Sequence, residues 1–124
     1  MSFDFYLYRA AADSGPMTEW KENRAEALGS ADDVRLQLAQ LFPLLRWEQH
    51  SDGSWSATSP HDGNAPRELA LRETEPGVLH FVVVYAGPSV LRQLMQALRL
   101  THCCAPESGE MRDPFAVDEQ WKPV

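Results

Sequence analysis

The residues best suited to metal or nucleophilic chemistry lie near the end of the chain, where His102 is followed directly by Cys103 and Cys104. His80, inside an apolar run, is a further candidate ligand. A structural zinc site usually takes four ligands at spacings such as Cys-x2-Cys, and adjacent cysteines cannot easily turn both sulfurs toward one ion. A disulfide between neighbours departs from the preferred Cα spacing. We therefore expect two free thiols, no metal and no cofactor.

Motifs for phosphate binding and hydrolysis are missing from the sequence. No glycine-rich loop occurs, and no serine lies in a Gly-x-Ser-x-Gly motif. Helix capping and solvation explain the paired carboxylates Asp32 and Asp33, and an acid–base dyad would need two carboxylates in one cleft. His50 and His61 lie beside predicted turns, which leaves open a small site between a hairpin and the loop 59–66. We expect no catalytic activity.

Tryptophans and carboxylates supply the candidate binding surface. Tryptophan is enriched in cores and at the centres of protein interfaces. We assign Trp47 to the core and expect partial exposure of Trp55, just after a predicted turn, and of Trp121, in the C-terminal segment. Aromatic side chains rimmed with acid suit a basic protein partner. The predicted partner-binding residues are Asp52, Trp55, Asp62, Asp113, Asp118 and Trp121.

These side chains need a scaffold, and its central unit is predicted at residues 77–100. The run Val78 to Tyr85 is apolar except for His80 and rich in β-branched and aromatic residues, which predicts a central strand covered on both faces. Gly87 and Pro88 end the strand, and Ser89 can cap a helix over Val90 to Leu100. The apolar stripe of this helix is Val90, Leu91, Leu94, Met95 and Leu98, and the predicted surface residues are Arg92, Gln93, Gln96 and Arg99.

A strand and a helix are predicted nearer the N-terminus. The segment Phe3 to Tyr8 has the period of two expected of a strand with one face on the core. Ser30 is placed to cap a helix over Asp32 to Phe42, and Pro43 ends that helix because it lacks an amide hydrogen.

Turn residues organise the middle of the chain. Asp52 and Gly53 supply the positive φ angles of a tight hairpin between residues 45–49 and 55–58. The stretch Glu68 to Glu73 alternates, and a type II turn over Glu75 to Val78 joins it antiparallel to the central strand. Leu100 to Cys104 is predicted as a last short strand, and Pro106-Glu107-Ser108-Gly109-Glu110 as another turn. The sequence thus predicts one α+β domain over residues 1–124, with a mainly antiparallel sheet of about five or six strands packed by two main helices.

The composition limits the class of partner. A chain of 124 residues, 44% hydrophobic, can bury its own core. With a formal net charge of −7 it is poorly suited to nucleic acid or an anionic membrane, since phosphate binding depends on lysine and arginine. No run approaches the roughly 18 apolar residues of a membrane span, and the chain begins without a secretory signal. We expect a cytoplasmic protein.

Several segments share a layout with a known family. They are Phe3-Asp4-Phe5-Tyr6-Leu7-Tyr8, a capped helix, an Asp-Gly hairpin, Gly77-Val78-Leu79-His80-Phe81 leading into a helix, and Leu98-Arg99-Leu100 followed by Glu107-Ser108-Gly109-Glu110. This layout resembles small bacterial immunity proteins, which neutralise toxins delivered between competing bacteria. The resemblance implies a protein that occludes the active site of a cognate toxin, and it carries over no particular residue. The alternative is a small ligand-binding or enzymatic α+β domain, which would need a deep pocket with convergent polar groups.

Overall fold

The computed structural model describes residues 4–10, 25–59, 65–105 and 110–123. They form seven strands and two helices. The strands are β1 (Asp4–Tyr8), β2 (Arg46–Gln49), β3 (Trp55–Thr58), β4 (Glu68–Leu71), β5 (Phe81–Tyr85), β6 (His102–Ala105) and β7 (Glu110–Arg112), and the helices are α1 (Ala31–Leu41) and α2 (Pro88–Leu98).

All seven strands belong to one antiparallel sheet in the order β2-β3-β4-β5-β1-β6-β7. This confirms the predicted α+β class and the central position of β5. The strand count exceeds the predicted five or six because of β7, which begins at Glu110, a residue assigned to a turn from the sequence. The other residues of that predicted turn, 106–109, lie outside the described residues.

The core lies between the helices and one face of the sheet. Strand register places Phe5 opposite Val84, Leu7 opposite Val82, and Leu69 opposite Val84, so these side chains share a face. The buried residues of the helices, including Val34, Leu38, Val90, Leu91 and Leu94, pack against that face in a single cluster. Burial of this apolar surface is the main term that holds the two layers together.

The helix ends follow local chemistry, with small shifts from prediction. Ser30 caps α1, as predicted, since its hydroxyl accepts a hydrogen bond from the Asp33 amide at 3.1 Å. Helix α2 starts at Pro88 with Gly87 as N-cap, so the prediction that Ser89 caps it is wrong. Proline suits the first helical position because its ring presets φ and it has no amide to satisfy there.

The central strand is buried on one face only. Val82 and Val84 are buried, whereas Phe81, Val83 and Tyr85 are half-buried. The prediction of a strand covered on both faces is therefore wrong. The β-branched and aromatic composition of β5 does not distinguish a second helical layer from an open sheet face.

Two turns position the strand ends. In the hairpin, only Gly53 has a positive φ, of 87°, and Asp52 does not, contrary to prediction. The Gly53 amide donates to the carbonyl of His50 at 3.0 Å, so a β-turn precedes the left-handed glycine. The turn Glu75 to Val78 is confirmed, with the Val78 amide bonded to the Glu75 carbonyl at 2.9 Å and Gly77 at φ 79°, as type II requires.

Candidate functional site

The predicted partner-binding residues divide into two groups at opposite ends of the sheet. Asp52 lines a cleft with Glu73, which follows β4, and Glu73 accepts a hydrogen bond from the Ala31 amide at the start of α1. Asp52 and the neighbouring Trp55 therefore lie at the end of the sheet where α1 begins. Asp118 and Trp121 lie in the segment that reaches the start of α2, where Glu119 contacts the Ser89 amide at 3.4 Å. Strands β4 and β5 are antiparallel, so the segments that follow them emerge at opposite ends. Asp62 lies outside the described residues, as does His61.

Trp55 is fixed in place by three neighbours. Its indole Nε1 donates to Asp32 Oδ1 at 3.2 Å, and the Arg35 guanidinium lies 4.4 Å from the ring centroid. Trp47 meets it edge to face, with ring centroids 6.4 Å apart. Trp55 is half-buried, and so is Trp47, which packs against the core without being fully enclosed by it. The ring of Trp55 is thus an ordered aromatic surface.

Carboxylates from three segments lie at this end of the sheet, and we call them the acidic patch: Asp32, Asp33, Asp52, Glu73 and Glu75. Asp32 bonds Trp55, while Asp52, Glu73 and Glu75 line one cleft. Glu73 is held by the amides of Ala31 at 2.9 Å and Gly77 at 3.1 Å, and it lines a cleft of about 340 Å³ with Asp52 and Glu75. Arg72 also lines this cleft, and Arg35 contacts Trp55. Among the described residues, carboxylates therefore outnumber cations here.

Asp52 also shapes the hairpin. Its Oδ1 accepts hydrogen bonds from the Ser54 amide at 2.9 Å and the Ser54 hydroxyl at 2.6 Å. The bond from the Ser54 hydroxyl, followed by that from the amide, lowers the pKa of Asp52 below its ordinary value. Asp52 is thus an ionised, exposed carboxylate at the tip of the hairpin.

The acidic residues of the C-terminal segment stabilise turns. Asp118 Oδ1 accepts from the amides of Gln120 and Lys122, both at 2.9 Å, and Asp113 Oδ1 accepts from Phe115 at 3.0 Å. Trp121 is half-buried and stacks on Phe5 with ring centroids 5.1 Å apart. This group therefore serves the packing of the segment 113–122 against the domain.

Arg92 holds this segment to α2, contrary to the prediction that it is a plain surface residue. Its guanidinium donates to the carbonyls of Pro114 at 2.8 Å and Val117 at 3.2 Å, and it pairs with Glu119 at 2.6 Å. The helical pattern placed Arg92 off the apolar stripe, which is correct, but a segment distant in sequence covers that position.

The second face of the sheet carries aromatic residues that were not predicted from the sequence to form a surface: Tyr6 and Phe81 are half-buried, and Tyr8 is buried. Tyr6 stacks on Phe81 with centroids 5.1 Å apart, and Tyr8 contacts the same ring at 5.5 Å. A shallow depression of about 300 Å³ lies beside them over Ala70 and Val83. The available signal was the alternation within Asp4–Tyr8, which places both tyrosines on the face opposite Phe5.

Histidines and cysteines do not converge in the described part of the chain, where no three His, Cys, Asp or Glu side chains could hold a metal ion together. Cys103 and Cys104 are not joined by a disulfide. Burial, followed by the neighbouring Cys104, raises the pKa of the Cys103 thiol to about 12, which opposes nucleophilic reactivity. Burial lowers the pKa of His102. His80 Nδ1 lies 2.6 Å from the Thr74 hydroxyl, and His50 Nε2 lies 2.8 Å from that of Ser56.

A further cleft of about 620 Å³ lies beside α1 and the end of α2, lined by Arg9, Glu26, Gln37, Leu98 and Arg99, among others. Arg9 donates from Nη2 to the Leu98 carbonyl at 2.5 Å and from Nε to the Arg99 carbonyl at 3.3 Å. It thereby satisfies carbonyls that the end of α2 leaves without helical partners.

The chain matches no protein family model, no curated protein and no solved structure. Neither α1 nor α2 is long and apolar enough to cross a membrane, and the same holds for the rest of the described residues.

Proposed function

We propose that this protein is an immunity-type inhibitor that binds a basic bacterial toxin in the cytoplasm and occludes its active site, without catalysis of its own. The observation that carries the proposal is the acidic patch, in which Asp32 bonds the half-buried Trp55. Exposed carboxylates accelerate encounter with a cationic partner. A large aromatic side chain within such a patch supplies the apolar contact that slows dissociation.

The contacts of Trp55 favour it as the anchor over Trp121. Trp55 is held by Asp32, Arg35 and Trp47 before any partner arrives, so little side-chain freedom remains to be lost on binding. Trp121 instead stacks on Phe5 and takes part in packing its own segment. We accordingly place the binding surface at the hairpin end, with Asp52 at its rim.

The alternative is a ligand-binding or enzymatic domain, and one observation favours it. The cleft beside Arg9 and Glu26 has a volume within the range of small-molecule sites. Its lining is charged, whereas such sites are mostly apolar, and Arg9 already bonds the end of α2. The inhibitor remains the better-supported proposal.

Co-expression tests the proposal directly. The protein is produced together with any toxin-like protein that a neighbouring gene encodes, and cell survival and complex formation by the purified pair are measured. We expect rescue and a stable complex. If cells are not rescued and the purified proteins do not associate, the inhibitor proposal fails and the ligand-binding alternative takes its place.

Two substitutions then test the surface. Glu75→Lys should slow association and weaken its salt dependence, while the matched Glu68→Lys, on β4 away from the patch, should leave the association rate unchanged. Trp55→Ala should raise the dissociation rate and cost about 2 kcal/mol or more of binding free energy. Thermal melts of each variant separate this effect from loss of folding. Equal effects of the two lysine substitutions would show that the patch does not direct binding.

A further inference from the structure

Among the residues that the structure describes, strand β2 is an exposed edge of the sheet. It is the first strand in the order, and its residues Arg46, Glu48 and Gln49 are exposed. Leu44, just before it, is 72% exposed. An edge strand presents unpaired backbone amides and carbonyls to any strand that can align with it.

The hydrogen bonds of the hairpin show which backbone groups of β2 face outward. The His50 amide donates to the Ser54 carbonyl at 2.9 Å, so His50 turns its backbone groups toward β3. Backbone direction alternates along an antiparallel strand. Arg46 and Glu48 therefore also point their backbone groups at β3, and Trp47 and Gln49 point theirs away from the sheet.

The outward groups allow a few antiparallel registers with a second β2, and side-chain charge separates them. In the register centred on Trp47, Arg46 of each copy lies opposite Glu48 of the other. Moving the centre by one residue toward the C-terminus places Glu48 opposite Glu48, and moving it the other way places Arg46 opposite Arg46. Opposite charges directly across a strand pair stabilise it, and like charges destabilise it.

We propose that two copies of this chain form a dimer by pairing their β2 strands antiparallel in the register centred on Trp47. The Trp47 backbones of the two copies bond each other, and each Gln49 amide reaches the Leu45 carbonyl of the other copy. Arg46 and Glu48 lie on one face of β2, so both ion pairs form on the same side of the joined sheet. The two-fold arrangement uses the β2 edge of both copies and closes the interface.

Sedimentation velocity of the full chain from about 10 µM to 1 mM, a range suited to small interfaces, measures the equilibrium. For the wild-type protein, the apparent mass should rise with concentration from 14.0 kDa toward twice that value. Arg46→Glu and Glu48→Arg should each weaken dimerisation by about 10- to 100-fold, because each converts both ion pairs to repulsion. The matched reversals Arg72→Glu and Glu68→Arg, exposed but off the edge, should leave the dissociation constant unchanged.

Charge exchange makes the register testable. A mixture of the Arg46→Glu and Glu48→Arg chains should form a heterodimer, and the chain carrying both substitutions should dimerise as the wild type does. Circular dichroism melts confirm that each variant is folded. The proposal is overturned if the wild type stays monomeric throughout the concentration range, or if neither single reversal weakens its dimer. It is also overturned if neither the mixture nor the double variant recovers association.

Discussion

Arg92→Ala tests the difference between the structure and the sequence prediction most directly. The helical pattern predicts that Arg92 is a plain surface residue, whereas the structure shows that it holds the C-terminal segment. The bonds from Arg92 to the Pro114 and Val117 carbonyls are each worth about 1 kcal/mol net, and the partly exposed pair with Glu119 adds less than about 1 kcal/mol. The freedom regained by the released segment offsets part of this sum. We expect a loss of about 2 kcal/mol, which for 124 residues lowers Tm by about 8 °C.

Urea denaturation followed by circular dichroism measures the loss of stability, and hydrogen exchange localises it. Amides of residues 116–121 should exchange faster in Arg92→Ala, while those of β4 and β5 change only with global stability. Arg92→Lys, which keeps the charge but not the planar fork, should recover part of the stability. The control Gln93→Ala, at the exposed neighbour, should stay within about 0.5 kcal/mol. Unchanged stability and exchange in Arg92→Ala would refute the assignment of Arg92 as the anchor of this segment.

Two further predictions concern the core. Leu94→Ala should destabilise the fold by about 2 to 5 kcal/mol in denaturant melts because Leu94 is fully buried. The control Gln96→Ala, at an exposed position, should stay within about 0.5 kcal/mol. Equal effects would mean that the buried face of α2 has been assigned wrongly. The pKa of Cys103 is raised from 9.0 to about 12, so above pH 9 the unfolded thiol ionises while the folded one keeps its proton, and stability falls as the pH rises. Between pH 9.5 and 11 the free energy of unfolding of the wild type should therefore fall by about 1.2 kcal/mol per pH unit more than that of Cys103→Ala, and identical slopes would contradict the burial of this thiol.

Local patterns in the sequence were sufficient to predict most of the individual helices, strands and turns. The Ser30 cap, the hairpin around Gly53, the type II turn at Gly77 and the apolar stripe of α2 were all predicted, with boundaries shifted by one or two residues. Each of these features depends on residues within a few positions of one another, so a short stretch of sequence is enough to predict it.

The tertiary structure decided how the candidate surface residues are grouped. The sequence identified Trp55 and Trp121 as a pair of comparable candidates, but antiparallel pairing of β4 with β5 sends the segments near them to opposite ends of the sheet. The contacts of Trp55 with Asp32 and Arg35 join residues more than a helix apart in the chain. No local pattern encodes such contacts, because they exist only after the strands have paired.

The sequence likewise could not predict which faces of the sheet are covered. The run that ends in β5 is apolar on both of its faces, yet the helices cover only the face of Val82 and Val84. The seventh strand, only three residues long, exists because β6 offers Glu110–Arg112 a partner. Residue type and period determined which segments are strands and helices. Pairing between distant segments determined strand order, the open face and the neighbours of Arg92. The energy of those contacts depends on packing that no single segment contains.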